Sequence, residues 1–245
     1  MKKLLFTFSL SWILLLSASQ KQNGTLCLTF DDRYLNNWEN AIPLFKQYNA
    51  RVTFFIYKNI DDEAVASLKK LQDAGHSIGL HGVNHAKAVA YQKKHGKNAY
   101  IKNEIMPQLE VCRKNGIKIR AFAYPYSQRS TDTDKELFEV FDYLRTNCSA
   151  VKKKDMPLAE ADGCFVKKVE KKQLFYGFPA SGNFDMNEVK AAMKRAAQED
   201  SVLVFYAHNI TEKIPKSHHI AFSQLTSLLE YAKELGLSVK GMNEL

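Results

Sequence analysis

Short apolar runs alternate with longer amphipathic stretches along most of the chain. Thr25 to Phe30 is a continuous apolar run of the kind that forms a buried strand, and Trp38 to Tyr48 places apolar side chains at helical spacing. Arg51 to Tyr57, with Val52, Phe54, Phe55 and Ile56, predicts a second strand. Asp61-Asp62-Glu63 then opens a helix that carries Val65, Leu68 and Leu71 and stops at Gly75. Ser77 to His81 predicts a third strand. A polar, partly helical stretch from about Gly96 to Asn115-Gly116 leads into a fourth strand over Ile117 to Tyr124. Beyond it the pattern predicts a helix holding Leu137 to Val140 and weaker strands at Tyr143 to Thr146 and Phe165 to Val169. The chain closes with a helix over Asp185 to Glu199, a buried strand over Val202 to Ala207, an amphipathic helix over Phe222 to Leu235 ended by Gly236, and a strand at Leu237 to Lys240.

Strand and helix alternate, which predicts an α/β fold with a parallel sheet and crossover helices, closed into a barrel or wound open. The polar residues decide between the two. Asp31 and Asp32, His81, the Tyr124-Pro125-Tyr126 corner and His208 all fall just past the carboxyl ends of apolar strands. In a barrel those ends converge on one face; in an open sheet they spread along a line. The expectation is therefore a barrel, without internal repeats or a proline- and glycine-rich linker.

Length and composition fit one such domain: 245 residues, 45% hydrophobic and 11% aromatic, can bury a full core. The N-terminus runs Met1-Lys2-Lys3, an apolar Leu4 to Leu16, then Ser17-Ala18-Ser19, the layout of a cleaved secretory signal peptide over residues 1–19. Residues 20–245 are expected to form a single domain, secreted or periplasmic, with no membrane span in the mature chain. Removing Lys2 and Lys3 takes the formal charge from +9 to +7. That suits an anionic surface or polymer, but the lysines are dispersed and no nucleic-acid recognition motif accompanies them. Cys27, Cys112, Cys148 and Cys164 show no Cys-x-x-Cys metal spacing, and an oxidising compartment leaves three disulfide pairings open. Cys27, inside a strand, is expected to be a buried small hydrophobe.

The chemistry gathers around Gly75-His76-Ser77-Ile78-Gly79-Leu80-His81-Gly82-Val83-Asn84-His85. Two histidines leave a divalent ion short of protein donors, and Asp31-Asp32 is the best source of a third. Two imidazoles and one carboxylate, with open positions for water, make a catalytic rather than a closed site. An ion there lowers the pKa of bound water and polarises a carbonyl. The neighbouring carboxylate can take a proton and His208 can give one. Taken singly, Asp-Asp is more often a cap and a lone histidine a core residue; the shared topological position raises the functional reading. His95 and His218-His219 lack that position and are expected at the surface. Gly75-His76-Ser77-Ile78-Gly79 matches a nucleophile elbow in letters, but helix, turn and strand come in the wrong order. His81-x-x-x-His85 has the spacing of a helical zinc site, yet Gly82 stands where glutamate belongs.

Taken in order, Thr29-Phe30-Asp31-Asp32, the Gly75–His85 stretch, Phe122-Ala123-Tyr124-Pro125-Tyr126 and Val202-Leu203-Val204-Phe205-Tyr206-Ala207-His208 resemble the motif set of the polysaccharide deacetylases. These are the NodB-homology group, carbohydrate esterase family four. The resemblance runs from about residue 25 to 240. It implies a distorted, incomplete (β/α) barrel of about seven parallel strands and removal of acetyl groups from an acetylated oligo- or polysaccharide, N-acetyl ahead of O-acetyl, with one divalent metal, zinc ahead of cobalt or nickel; separately, a monomer is expected. By position it implies Asp31 as general base, His208 as general acid, and Asp32, His81 and His85 as metal ligands. Tyr126 would offer its backbone N–H to the oxyanion beside Pro125, and Leu203 and Tyr206 would help wall the acetyl pocket.

Three departures set the alternatives. Gly82 stands where many members carry a hydroxyl that braces the loop. Ala123 stands where many carry an arginine against the catalytic carboxylate, whose loss should raise the base's pKa unless another cation replaces it; Arg33 is one candidate. The fourth motif, a tryptophan and an aspartate flanking the catalytic histidine, has no clear match, with Asp185 a candidate for the aspartate. These departures motivate a competing reading, a carbohydrate-binding protein without turnover, and more remotely a metal-dependent hydrolase of another C–N bond.

Overall fold

The computed structural model describes residues 24–245, so the expected signal segment lies outside the described residues. In chain order the strands are β1 (Thr25–Asp32), β2 (Thr53–Ile56), β3 (Ser77–Leu80), β4 (Ile119–Ala123), β5 (Tyr143–Asn147), β6 (Phe165–Val166), β7 (Gln173–Pro179), β8 (Val202–Ala207), β9 (Ile210–Thr211), β10 (Ile220–Ala221) and β11 (Ser238–Val239). The helices are α1 (Leu35–Asn40), α2 (Ile42–Gln47), α3 (Asp62–Asp73), α4 (Ala88–His95), α5 (Met106–Lys114), α6 (Thr131–Leu137), α7 (Met186–Glu199) and α8 (Phe222–Leu235).

Seven parallel strands run β1-β2-β3-β4-β5-β7-β8, and β8 pairs back onto β1 to close the barrel. The distortion sits at two seams. β7 meets β8 only at Phe178–Phe205 and Pro179–Tyr206, and the β3–β4 register shifts between Ile78 and Leu80. Outside the ring, β11 extends β1 in parallel and β6 lies antiparallel on β8.

Alternation along each strand sorts residues into two cores. Leu26, Leu28 and Phe30 of β1, Phe54 and Ile56 of β2, and Leu203 and Phe205 of β8 face the helices and join Trp38, Phe45, Leu68 and Leu225. Cys27, Phe55, Ala121, Ala123, Tyr143, Phe175 and Val204 face inward and fill the barrel's lower half. Met242 joins them as part of a C-terminal plug: its N–H donates to Thr53 Oγ1 at 2.8 Å and that of Asn243 to Ser77 Oγ at 3.1 Å. The same inward parity carries Asp31, His81, Arg145 and Tyr206 into the open upper half.

The outcome differs from the pattern in places. The helix expected over Trp38 to Tyr48 is two, broken at Ala41, because Pro43 in the first turn of α2 cannot continue a helix from before it. The helix expected around Leu137 to Val140 ends at Leu137; it begins at the Ser130/Thr133 capping box, which the apolar pattern does not register. The strand expected at Phe165 to Val169 shrinks to two residues outside the barrel. The barrel position belongs instead to β7, where Gly177 and Pro179 mask the strand. All four cysteines are buried and unbridged. Cys27 is fully buried, as expected, and burial pushes its thiol up to about 12. Among the described residues no helix is long and apolar enough to cross a membrane.

Candidate active site

A cavity of about 520 Å³ opens at the carboxyl ends of the barrel strands, and Asp31, Asp32, His81, His85, Tyr126, Tyr206 and His208 all line it. Asp31 reaches it by strand parity. Asp32 reaches it because its backbone leaves the strand with φ at 82°, which breaks the alternation and turns a second successive side chain toward the same space.

Asp32, His81 and His85 each offer a ligand atom, and these atoms lie within 4.8 Å of one another. His81 is buried, and its Nδ1–H donates to the Ala123 carbonyl at 2.7 Å, which fixes the tautomer and leaves Nε2 as an open lone pair. That nitrogen stands 3.0 Å from His85 Nε2, and Asp32 Oδ1 is 3.9 Å from the first and 3.7 Å from the second. Two nitrogens bound to one ion at the usual ~2.1 Å sit about 3 Å apart, so the donor set fits a divalent cation. Burial pushes His81 down to about 3 and lowers His85 against the pull of Asp32, so both rings are neutral and ready to ligate.

The loop holding His85 is braced by Glu104, whose buried carboxylate accepts from the Asn84 backbone N–H at 2.8 Å and from Asn84 Nδ2 at 2.7 Å. Gly82 has φ at 82°, and a Cβ there would come within 3.0 Å of Glu104 Oε2. The missing hydroxyl thus has a replacement that arrives from a π-helical turn over Ile101–Ile105, and that replacement itself requires glycine.

Arg145 supplies the cation that Ala123 lacks. Its Nη2 donates to both oxygens of Asp31, the pair is almost wholly buried, and the guanidinium lies 4.7 Å from the Tyr206 ring centroid and 5.4 Å from that of Phe55. Gly177 on β7 makes the room, since a Cβ there would sit 3.2 Å from the side chains of Arg145 and Tyr206. Burial alone pushes the Asp31 carboxyl up, but the Arg145 guanidinium overrides it and holds it below its ordinary value. Arg33 does not take this role: it pairs with Asp61 at 2.7 Å and donates to the Asn59 carbonyl, away from the cavity.

His208 is held from two sides. Its Nδ1–H donates to the His218 carbonyl at 2.8 Å, leaving Nε2 for the cavity, and the Trp38 indole donates to the His208 carbonyl at 3.0 Å. A backbone carbonyl therefore stands where an orienting aspartate was sought. Asp185 instead caps α7, accepting from the Asn187 N–H at 2.8 Å, and is not among the residues lining the cavity. Leu203 is fully buried on the helix-facing side of β8, because it lies three residues from Tyr206 and so on the opposite face. Pro125 is buried beneath the corner and does not line the cavity.

Tyr126 stands 65% exposed at the rim, its ring 4.6 Å from that of His85. Tyr126 and Ser127 both take positive φ, 53° and 55°, and the turn is pinned to β5 where Ser127 Oγ accepts from the Asn147 N–H at 3.2 Å. None of the hydrogen bonds among the described residues uses the Tyr126 backbone N–H. His218 and His219, expected at the surface, line the cavity, whereas His95 stays outside it, packed on Tyr91. Tyr34, Ser127, Asn147 and Arg145 complete the wall unannounced by motif; the one legible signal was an arginine at an inward-facing position of a short strand.

A sequence profile of the polysaccharide deacetylase family matches residues 18–140. YheN of Bacillus subtilis (strain 168), which carries a provisional polysaccharide deacetylase name, is 33% identical over 75 residues, 29% of this chain and 27% of YheN. The chain therefore spans, in that match, only about a quarter of its curated relative. Among solved structures, a Streptococcus mutans CE4 esterase superposes with a TM-score of 0.58 at 19% identity, covering 89% of this chain and 86% of the other. BA3943 of Bacillus anthracis, a CE4-family pseudoenzyme, gives 0.54 at 14% identity over 91% of this chain and 66% of its own. These two likenesses show the shared barrel; the profile, matched over half of the sequence, goes further, and the chain belongs to the polysaccharide deacetylase family.

Proposed function

We propose that this chain is a secreted or periplasmic, monomeric, metal-dependent deacetylase that removes N-acetyl groups from a glycan, using Asp31 as base and His208 as acid. Acetyl removal from carbohydrate is the activity of its family; the metal, the bond and the residue roles are the proposal. The observation that carries it is a buried carboxylate, held ionised by Arg145, beside a three-donor cation site with a histidine on the same cavity.

A divalent ion held by Asp32, His81 and His85, with zinc ahead of cobalt or nickel, would supply Lewis acidity to a water and to the acetyl carbonyl. The protein's own groups do the rest. Asp31, ionised at neutral pH, accepts the proton of the attacking water. The free Tyr126 N–H is a donor for the carbonyl oxygen as negative charge develops there. His208, oriented by the His218 carbonyl so that Nε2 faces the cavity, is the group placed to deliver a proton to the departing nitrogen. An amine leaves poorly unless protonated, so an acid placed here favours N-acetyl over O-acetyl substrates. Tyr206 walls the pocket beside Arg145.

The non-catalytic reading drew on Gly82, Ala123 and the absent fourth motif. Glu104, Arg145 and the Trp38–His208–His218 contacts provide each missing support from another segment, which favours turnover. The BA3943 likeness shows that the fold alone does not decide the matter. Acetate release from N-acetylglucosamine oligomers and from O-acetylated xylo-oligosaccharides, after chelation and with zinc, cobalt or nickel returned, is the test. Release that needs metal and falls by about 100-fold or more in Asp31→Asn supports the proposal. No acetate from any substrate with any metal sinks it in favour of a binding protein.

A further inference from the structure

Beside the active-site cavity, and sharing Tyr126 with it, lies an open shelf of about 510 Å³ lined by Lys87, Tyr91, Lys94 and His95. Its charge is one-sided. Between His85 and Glu104 the chain carries five lysines and no aspartate or glutamate, and among the described residues none of those lysines has an ion-pair partner. Two carboxylates close to this segment are engaged: Glu104 is buried on Asn84, and Glu136 accepts from Gln92 Nε2 at 2.5 Å. Lys87 Nζ stands 5.0 Å over the Tyr126 ring and Tyr91 packs on His95 at 4.4 Å, so cations and aromatic rings are interleaved on one surface.

Resting on the reading that the Asp31 cavity handles a glycan, we propose that this shelf is a subsite for an anionic sugar, carrying carboxylate or phosphate, in the chain being deacetylated. A sugar adjoining the one in the cavity crosses Tyr126, whose exposed ring offers an apolar surface to its C–H face. Its anionic oxygens then face Lys87 and Lys94. A polymer of free amino sugars is repelled by the same field, so the shelf favours acetylated, acidic chains over the cationic product of extensive deacetylation.

Binding to the full-length mature chain, measured without turnover, tests this. The probes are oligogalacturonate, a phosphate-linked mannose oligomer, a neutral N-acetylglucosamine oligomer of equal length, and an oligothymidylate of equal charge. Either anionic oligosaccharide should bind about tenfold tighter than the neutral one, and the one that does so names the anion. The difference should shrink at high salt and disappear in K87Q/K94Q. It should survive in K69Q/K114Q, which removes the same net charge from α3 and α5. Equal binding of all sugars, equal losses in both variants, or tighter binding of the oligonucleotide overturns the subsite. Acetate release separates this result from the deacetylase reading. Salt-sensitive preference for an anionic sugar without any acetate release keeps the shelf and removes the enzyme. Acetate release with one KM for acidic and neutral substrates keeps the enzyme and removes the shelf.

Discussion

Asp31 and Arg145 are each nearly inaccessible to water, so each charge depends on the other for its solvation. Removing the guanidinium leaves a carboxylate in the barrel without compensation, a defect worth about 3–5 kcal/mol. Arg145→Met should therefore lower the denaturation midpoint sharply, and D31N/R145M should recover part of the loss because the stranded charge is gone. The kinetic sign follows from the depressed carboxyl. With Arg145 in place, Asp31 remains a base down to pH values below the ordinary carboxylate range; without it, burial wins and the acid limb of kcat/KM moves to higher pH. A limb that stays in place in Arg145→Met would show that some other group is the base. Asp31, Asp32, His81 and His208 were legible from the sequence because each ends an apolar run. Arg145 was not: its role depends on facing Asp31 across the barrel interior, a relation that appears only once β5 and β1 share a ring.

Elements carry a titration of their own at the joint between β2, β3 and α2. His76 precedes β3, with the rings of Phe45 and Phe54 at 5.1 and 5.5 Å, and its Nδ1 accepts the Val52 backbone N–H at 3.3 Å. Protonation would abolish that acceptor, and burial, aided by Arg51, pushes the ring down to about 4 from 6.5. The folded state thus binds fewer protons than the unfolded chain between those two values, so stability falls as pH drops from about 6.5 toward 4 and levels off below. The full effect is about 3 kcal/mol. Urea midpoints for the wild type and His76→Gln should lie closest near pH 4, separate as pH rises to about 6.5 and keep a constant gap above it; parallel curves between pH 4 and 6.5 would exclude His76 as the source. Element types were read well where periodicity was strong, as in α8 and β8. They were missed where local chemistry overrides pattern: Pro43 splits one helix, the Ser130 capping box shifts another, and β7 gives up regular strand composition at Gly177 to accommodate Arg145 and Tyr206.

At the scale of the molecule, the three cation donors come from β1 and from the loop that follows β3, strands separated in the barrel by β2, while Ala123 at the end of β4 fixes the His81 ring. An ion there adds a tie across the upper rim between β1 and β3, which are not neighbours in the barrel. Without it, the two neutral imidazoles share a single hydrogen bond, His85 Nε2–H to His81 Nε2 at 3.0 Å, and burial of the adjacent Asp32 carboxylate is left uncompensated by a cation, an arrangement that favours local opening. A ligand that binds the folded state alone stabilises it by about 4 kcal/mol at roughly a thousandfold excess over Kd, which for a chain of this size is about 10 °C in Tm. Zinc returned to the chelated protein should therefore raise Tm by that order, independently of any substrate. His85→Gln, which leaves the buried His81 and its carbonyl partner untouched, should lose most of the rise while keeping its metal-free Tm near that of the wild type. An equal rise in the wild type and in His85→Gln would place the ion elsewhere and detach the Asp32, His81 and His85 cluster from the proposed chemistry.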